Sequence, residues 1–238
     1  MTAGAEARHE AAEARWRAEA DARSTRADQL SFARLAAFLV AAVAGASAVT
    51  GSTWLAFLAA LAALAFVALV GVHARVLAAR DDAEARAEVH ARHLLRVRGA
   101  WHTLPATGAD TLPPDHGYAG DIDLVGEGSL AQRLDVTHTT RGEARLIAWL
   151  AAPADDATVR ARQEAVRELA GDLELREDLE AFAARGRRAL ARAQGRGAAP
   201  KLDPAPFLAF TERPAFLLGT PRAWLVQLLP WLKLGAAA

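Results

Sequence analysis

The sequence contains no cysteine. That excludes disulfides, thiolate metal sites and cysteine nucleophiles, and it fits a reducing compartment. Lysine is nearly absent: of 28 basic residues only Lys201 and Lys233 are lysine, a bias toward Arg and Ala that reads as composition rather than mechanism. No charge of either sign prevails, since 28 Lys and Arg face 28 Asp and Glu. A neutral balance gives no electrostatic reason for a nucleic-acid or acidic partner. The most informative absence is local. Between Arg34 and His73, over positions 35 to 72, there is no charged side chain.

That stretch is about twice the ~20 residues a helix needs to cross a ~30 Å hydrocarbon core. One straight helix would overshoot, whereas two helices joined by a turn fit. The turn is expected within Gly45–Thr53, where Gly, Ser and Thr concentrate. The first span is placed near Leu30–Val49 and the second near Thr53–Val72. Both must be helical in lipid, because no water there satisfies an exposed peptide group. Trp54 then falls at the far interface. Arg23, Arg26 and Arg34 precede the hairpin and Arg75, Arg80 and Arg86 follow it, so the positive-inside rule puts both ends in the cytoplasm, at the inner (plasma) membrane. Two other readings are weaker. A secretory signal cleaved near Ala46-Ser47-Ala48 is ill matched to an acidic preceding region and to a second span that follows at once. A buried hairpin in a soluble fold would need cover on every side.

The expected fold class is mainly α: a transmembrane helical hairpin followed by a helix-rich cytoplasmic region with at most one short strand. Residues 1–34 read as a charged helix leading into the membrane, with attractive Glu13–Arg17 and repulsive Glu6–Glu10 spacings. Its alternative use is as a coiled-coil or docking helix. Residues 73–117 read as a helical extension of the second span, ending at Gly99, and then a linker broken by Pro105, Gly108, Pro113 and Pro114. Its partial apolar face is Val76, Leu77, Val89, Leu94 and Leu95. Gly120–Gly126 alternates between acid and apolar residues and is expected to be a short strand. Ser129–Gln132 and Thr140–Glu143 match the capping box, so helices should begin after Ser129 and after Thr140. Asp155 or Asp156 should cap a further helix with the face Val159, Gln163, Val166, Leu169 and Leu173. The next helix carries Leu175, Leu179, Phe182 and Leu190. Residues 194–222 read as a linker, and 223–238 as an apolar C-terminal segment with Trp224, Trp231 and Lys233. That segment fits either an interfacial helix or the opening of a third transmembrane helix cut short.

The run from Tyr118 through Asp121-Ile-Asp-Leu-Val, Ser129-Leu, Leu134-Asp-Val-Thr-His-Thr-Thr-Arg-Gly142 and Trp149-Leu-Ala-Ala-Pro153 resembles the MutS family at the start of its core, or lever, domain. Arg162-Gln-Glu-Ala-Val-Arg-Glu-Leu169 is similar to the helix that follows in that family. The resemblance covers about residues 118–190, with the lever segment drawn as 118–193, and it is nearest to membrane-anchored MutS-like proteins. Ala131 and Arg133 depart from it, standing where relatives tend to have large apolar residues. No Gly-x-x-x-x-Gly-Lys-(Ser/Thr) loop occurs, so this chain has no phosphate cradle of that type. The Phe-x-Glu mismatch-reading element is missing as well. The resemblance therefore implies the membrane-anchoring and lever portion of a MutS-like ATPase, with ATP and Mg bound only by a C-terminal domain not in this chain. The alternative is a stand-alone membrane scaffold or interaction protein without nucleotide chemistry. The expected partner is the lipid bilayer, with a homodimer also open. DNA enters by resemblance alone, and the charge balance does not support it.

Four constellations carry residue types capable of chemistry. Asp115, His116, Asp121 and Asp123 would suit a hard cation, but turn-forming acids on a wet surface explain them better. A Ser129, Asp135, His138 set lacks the Gly-x-Ser-x-Gly elbow, and Ser129 is better read as a cap. His90 and His93, three apart on a helix, lack a carboxylate cluster at motif spacing. Arg185, Arg187, Arg188, Arg192 and Arg196 form the densest basic run, open to nucleic acid or anionic lipid. A helix end complementing its own dipole is the blander account. No catalytic, cofactor-binding or metal-ligating residue is assigned.

Overall fold

The computed structural model describes residues 2–49, 51–109, 111–113, 115–195 and 200–212. Among these the chain is helical, with no strand and two isolated bridges, Thr107 to Gly126 and Thr139 to Leu202. Helices α1 (Thr2–Ala48) and α2 (Thr53–Val97) are long. A 3₁₀ turn (Trp101–Thr103), α3 (Leu130–Leu134), α4 (Thr140–Ala151), α5 (Asp156–Gly171), α6 (Leu173–Ala193) and α7 (Ala205–Thr211) follow. Arg196 and the 223–238 segment lie outside the described residues. The described chain divides into two compact units, residues 18–81 with 209–212 and residues 2–17 with 82–208.

The first of these units is a helical hairpin. The connection is shorter than the Gly-Ser-Thr stretch suggested: Gly45 stays in α1, which ends at Ala48, and α2 begins at Thr53, with Gly51 at φ 96° between them. The two helices meet along small residues. Ala20, Ala27, Ala44 and Ala62 are buried, and a Cβ on Gly45 would sit 3.8 Å from Ala59. Close approach through small side chains is how helices associate where no hydrophobic effect separates helix from solvent. Phe38 and Phe66 rings lie 6.0 Å apart, with the Arg34 guanidinium 5.9 Å from the Phe66 ring. Arg23 Nη1 donates to the Ala79 carbonyl at 2.6 Å. Many large side chains point outward, including Phe32, Leu35, Val43, Trp54, Phe57, Leu64 and Val67. Both helices are long and apolar enough to cross a membrane, and only 6% of each apolar window is buried.

The second unit packs the charged end of α2 against α6. Ala85 and Val89 of α2 meet Ala184 of α6 in a fully buried cluster. Ion pairs flank it: Arg86 to Asp178 at 2.7 Å, Arg188 to Glu88 at 3.2 Å and to Glu84, Arg192 to Glu84 at 3.4 Å, and Arg185 to Asp82 at 3.4 Å. The expected faces of α5 and α6 are corrected here. Val166 is 66% exposed, Leu179 60% and Phe182 67%, and α5 buries no residue, while α6 buries Ala181, Ala184 and Ala191 instead. Alanines win the interface because they let the two backbones approach while the long acids and arginines close over the seam.

The expected strand at Gly120–Gly126 is also corrected: Asp121–Asp123 are turn residues, Asp123 has φ 47°, and Gly126 has φ 98°. Leu124 alone enters the core, with 1% exposure, while Ile122 is 51% exposed. A strand needs a neighbouring edge for its peptide groups, and here they close on local turns: Leu124 N–H donates to Ala119 and Ala131 N–H to the Leu124 carbonyl.

Candidate functional site

Helix caps set the frame. Ser129 Oγ accepts the Gln132 N–H at 3.1 Å, as the capping box requires. Gln132 Oε1 reaches back to the Gly128 N–H at 2.8 Å, one residue beyond the cap itself. The second box is shifted. Thr139, not Thr140, is the cap and accepts the Gly142 N–H at 3.0 Å. Glu143 is thereby released from capping: it accepts from the Gly108 N–H at 3.0 Å and pairs with Lys201 at 2.9 Å. Asp155 caps α5 as expected, through the Thr158 N–H.

Between α3 and α4 the chain carries Asp135, Thr137 and His138 into the interior. Asp135 is 5% exposed and accepts from Thr107 Oγ1 at 3.0 Å, Thr137 Oγ1 at 2.6 Å and Lys201 Nζ at 2.5 Å. Burial alone would raise its pKa, but hydrogen bonds from Lys201 and Thr137 outweigh it and hold the carboxyl below its usual range. Arg96 binds backbone carbonyls around the same point, those of Arg133 at 3.2 Å, Arg92 at 3.4 Å and Asp135. Arg187 donates to the Pro200 carbonyl and to His138 Nδ1, each at 3.2 Å.

A second polar group adjoins it. Glu180 of α6 accepts from His93 at 2.8 Å and lies 3.8 Å from His138 Nε2, and both Glu180 Oε1 and His138 Nε2 are buried without a hydrogen bond among the described residues. Burial opposes ionisation of Glu180, yet His138 and His93 prevail and bring its pKa to about 2. His9, from the first turns of α1, closes the group. Its Nδ1 is 3.0 Å from His90 Nδ1, and its ring stacks on His93 with centroids 5.1 Å apart. Burial, then repulsion from His93, His90 and Arg8, lowers the His9 pKa to about 4. Burial lowers His90 as well, with Glu177 opposing.

The structure thus separates the constellations raised from sequence. Ser129 donates to the Gly126 carbonyl and caps α3, so Ser129, Asp135 and His138 form no hydrogen-bonded triad. His116 hydrogen-bonds the Ala151 carbonyl at 3.0 Å and Tyr118 donates to Leu150 at 3.0 Å, fastening the end of α4. Among the described residues no three His, Asp or Glu side chains are disposed to hold a metal ion. Of the basic run, Arg185, Arg188 and Arg192 are engaged by acids of α2 and Arg187 turns inward. Sequence reading missed His9, Arg96, Thr107, Glu143, Glu180 and Lys201. Only Glu143 carried a signal, through its capping box. The chain matches none of the family models, curated proteins or solved structures with which it was compared.

Proposed function

We propose that this chain is the membrane-anchoring and lever portion of a MutS-like ATPase, held at the plasma membrane with both ends of its hairpin in the cytoplasm. Support for the family comes from the residues of 118–190 quoted above. The landmarks of that resemblance fall at helix junctions: Ser129 at the start of α3, Thr139 before α4, and Trp149 and Leu150 at its end. The observation that carries the lever reading is the apolar row of α5 and α6, in which Val166, Leu169, Leu179 and Phe182 are all exposed. A soluble module that leaves such a row open is built to pack on something else. On this reading ATP and Mg belong to another domain, and no residue here binds them. The tether also weighs against scanning a chromosome, so DNA is not assigned.

Two experiments test this. Carbonate extraction of membranes should leave the chain in the pellet; release into the supernatant would remove the anchor. Sequencing the transcript past codon 238 should reveal a Walker A loop followed by a Walker B acid. A stop codon at that point would favour the second reading, a membrane scaffold without nucleotide chemistry.

A further inference from the structure

A cavity of about 440 Å³ opens beside Asp135, within the range typical of small-molecule pockets. Its charged lining is uneven. Arg92 and Arg96 from α2, Arg187 from α6 and Lys201 face only two carboxylates, Asp135 and Glu143, so the wall carries two positive charges in excess. Both carboxylates are already committed to Lys201, at 2.5 and 2.9 Å. Arg96 is fixed by three backbone carbonyls, which orient the guanidinium and leave its charge in place. Arg92 has no side-chain hydrogen bond or ion pair among the described residues. Glu180 and Glu88 act on Arg96 and Arg187 from outside the cavity and are bound to His93 and Arg188.

We propose that this cavity binds a phosphate monoester group, with Arg92 as its donor, Arg96 and Arg187 supplying charge, and the buried Thr107 and Gln132 in its wall. The Arg92 guanidinium offers the paired N–H geometry that phosphate oxygens accept, Arg96 and Arg187 add positive charge beside it while bonded to Pro200, His138 and the backbone carbonyls, and a dianion matches the excess charge of the lining. Burial, and after it the proximity of Arg92, disfavours the charged forms of both Arg96 and Arg187. An anion placed among them relieves that repulsion. The site is independent of the ATPase reading, since it contains no Gly-rich loop and lies wholly within this chain.

The group can arrive on a soluble molecule or on a lipid, and the test separates the two. The full chain in neutral detergent is titrated calorimetrically with inorganic phosphate, and in nanodiscs of phosphatidylcholine with and without phosphatidic acid. Saturable binding of inorganic phosphate identifies a soluble source. Binding confined to phosphatidic acid identifies a lipid one. In either case Arg92→Gln should weaken it at least 10-fold, with the helical circular dichroism kept because that side chain holds nothing else together. As a measurement on the unaltered chain, phosphate should shield Arg92 from phenylglyoxal while exposed Arg141 and Arg160 react at their former rates. No binding in either arm, unchanged affinity in Arg92→Gln, or equal modification of Arg92 with and without phosphate would overturn the proposal.

Discussion

Gly108 shows how narrowly one position can be specified. Its φ is 68°, and a Cβ built there would collide with Ile147 Cδ1 and lie 2.9 Å from Thr111 Oγ1. Ile147 is 3% exposed and is the one buried residue of α4, so it has little room to retreat. The Gly108 N–H also donates to Glu143, which ties the loop to Lys201. Gly108→Ala therefore combines a left-handed backbone with overpacking. It should cost about 1–3 kcal/mol, read as a lower melting temperature of the purified chain. Gly117→Ala, where the added Cβ meets nothing within 4 Å, serves as the comparison and should change little.

Among the elements, helix starts were legible and helix faces were not. Capping is chemistry between residues three apart, so Ser129 and Asp155 announce α3 and α5 without knowledge of the rest of the fold. Thr139 and Thr140 both carry a hydroxyl, and the extended backbone of Thr139 decided between them. The face of α6 was misread because its large residues suggested a core that alanines supply. The acid-apolar alternation at 121–124 was too short to outweigh flanking glycines that favour turns. The polar centre was invisible because its partners are distant in sequence: 81 positions separate His9 from His90, 87 separate His93 from Glu180, and 66 separate Asp135 from Lys201. The docking of the first turns of α1 has a consequence at acid pH. One Nδ1 of the His9–His90 pair must accept, so protonating both removes their hydrogen bond. The neighbouring charges are Arg8 and Arg15 on α1, His93 on α2, His138, and Arg176, Glu177 and Glu180 on α6. The folded pKa of His9 is about 4 against an ordinary 6.5, so the released segment binds the proton more tightly than the docked one. The contribution of His9 to docking is complete above pH 6.5 and declines as pH falls toward 4. A nitroxide pair on Ala14→Cys and Gln194→Cys, in a chain with no other thiol, should give one narrow distance at pH 7.5 and a broadened one at pH 5. His9→Gln should flatten that change, and an unaltered broadening in His9→Gln would remove His9 as its cause.

For the molecule as a whole, the deciding feature is the outward face of the hairpin unit. Phe32 is 74% exposed, Val43 66%, Trp54 68% and Leu64 68%, with no charged residue from Leu35 to Val72. In water these side chains would each forfeit roughly 1.5–3 kcal/mol of burial. A soluble fold places such residues inside, and here none of them is covered by the described chain. A lipid environment, which α1 and α2 are long and apolar enough to cross, would remove that cost. The proposed hairpin anchor predicts a topology: by the positive-inside rule, the arginines on both flanks would keep the two ends together on the cytoplasmic side, with only the connection between α1 and α2 across. The absence of native thiols makes this directly measurable. In intact cells a membrane-impermeant maleimide should label Ser52→Cys from outside. Ala7→Cys and Gln194→Cys should react only after the membrane is opened. Labelling of Ala7→Cys and Gln194→Cys from opposite sides would require an odd number of crossings between them. That result would leave α1 and α2 unable to be a hairpin anchor, however apolar they are.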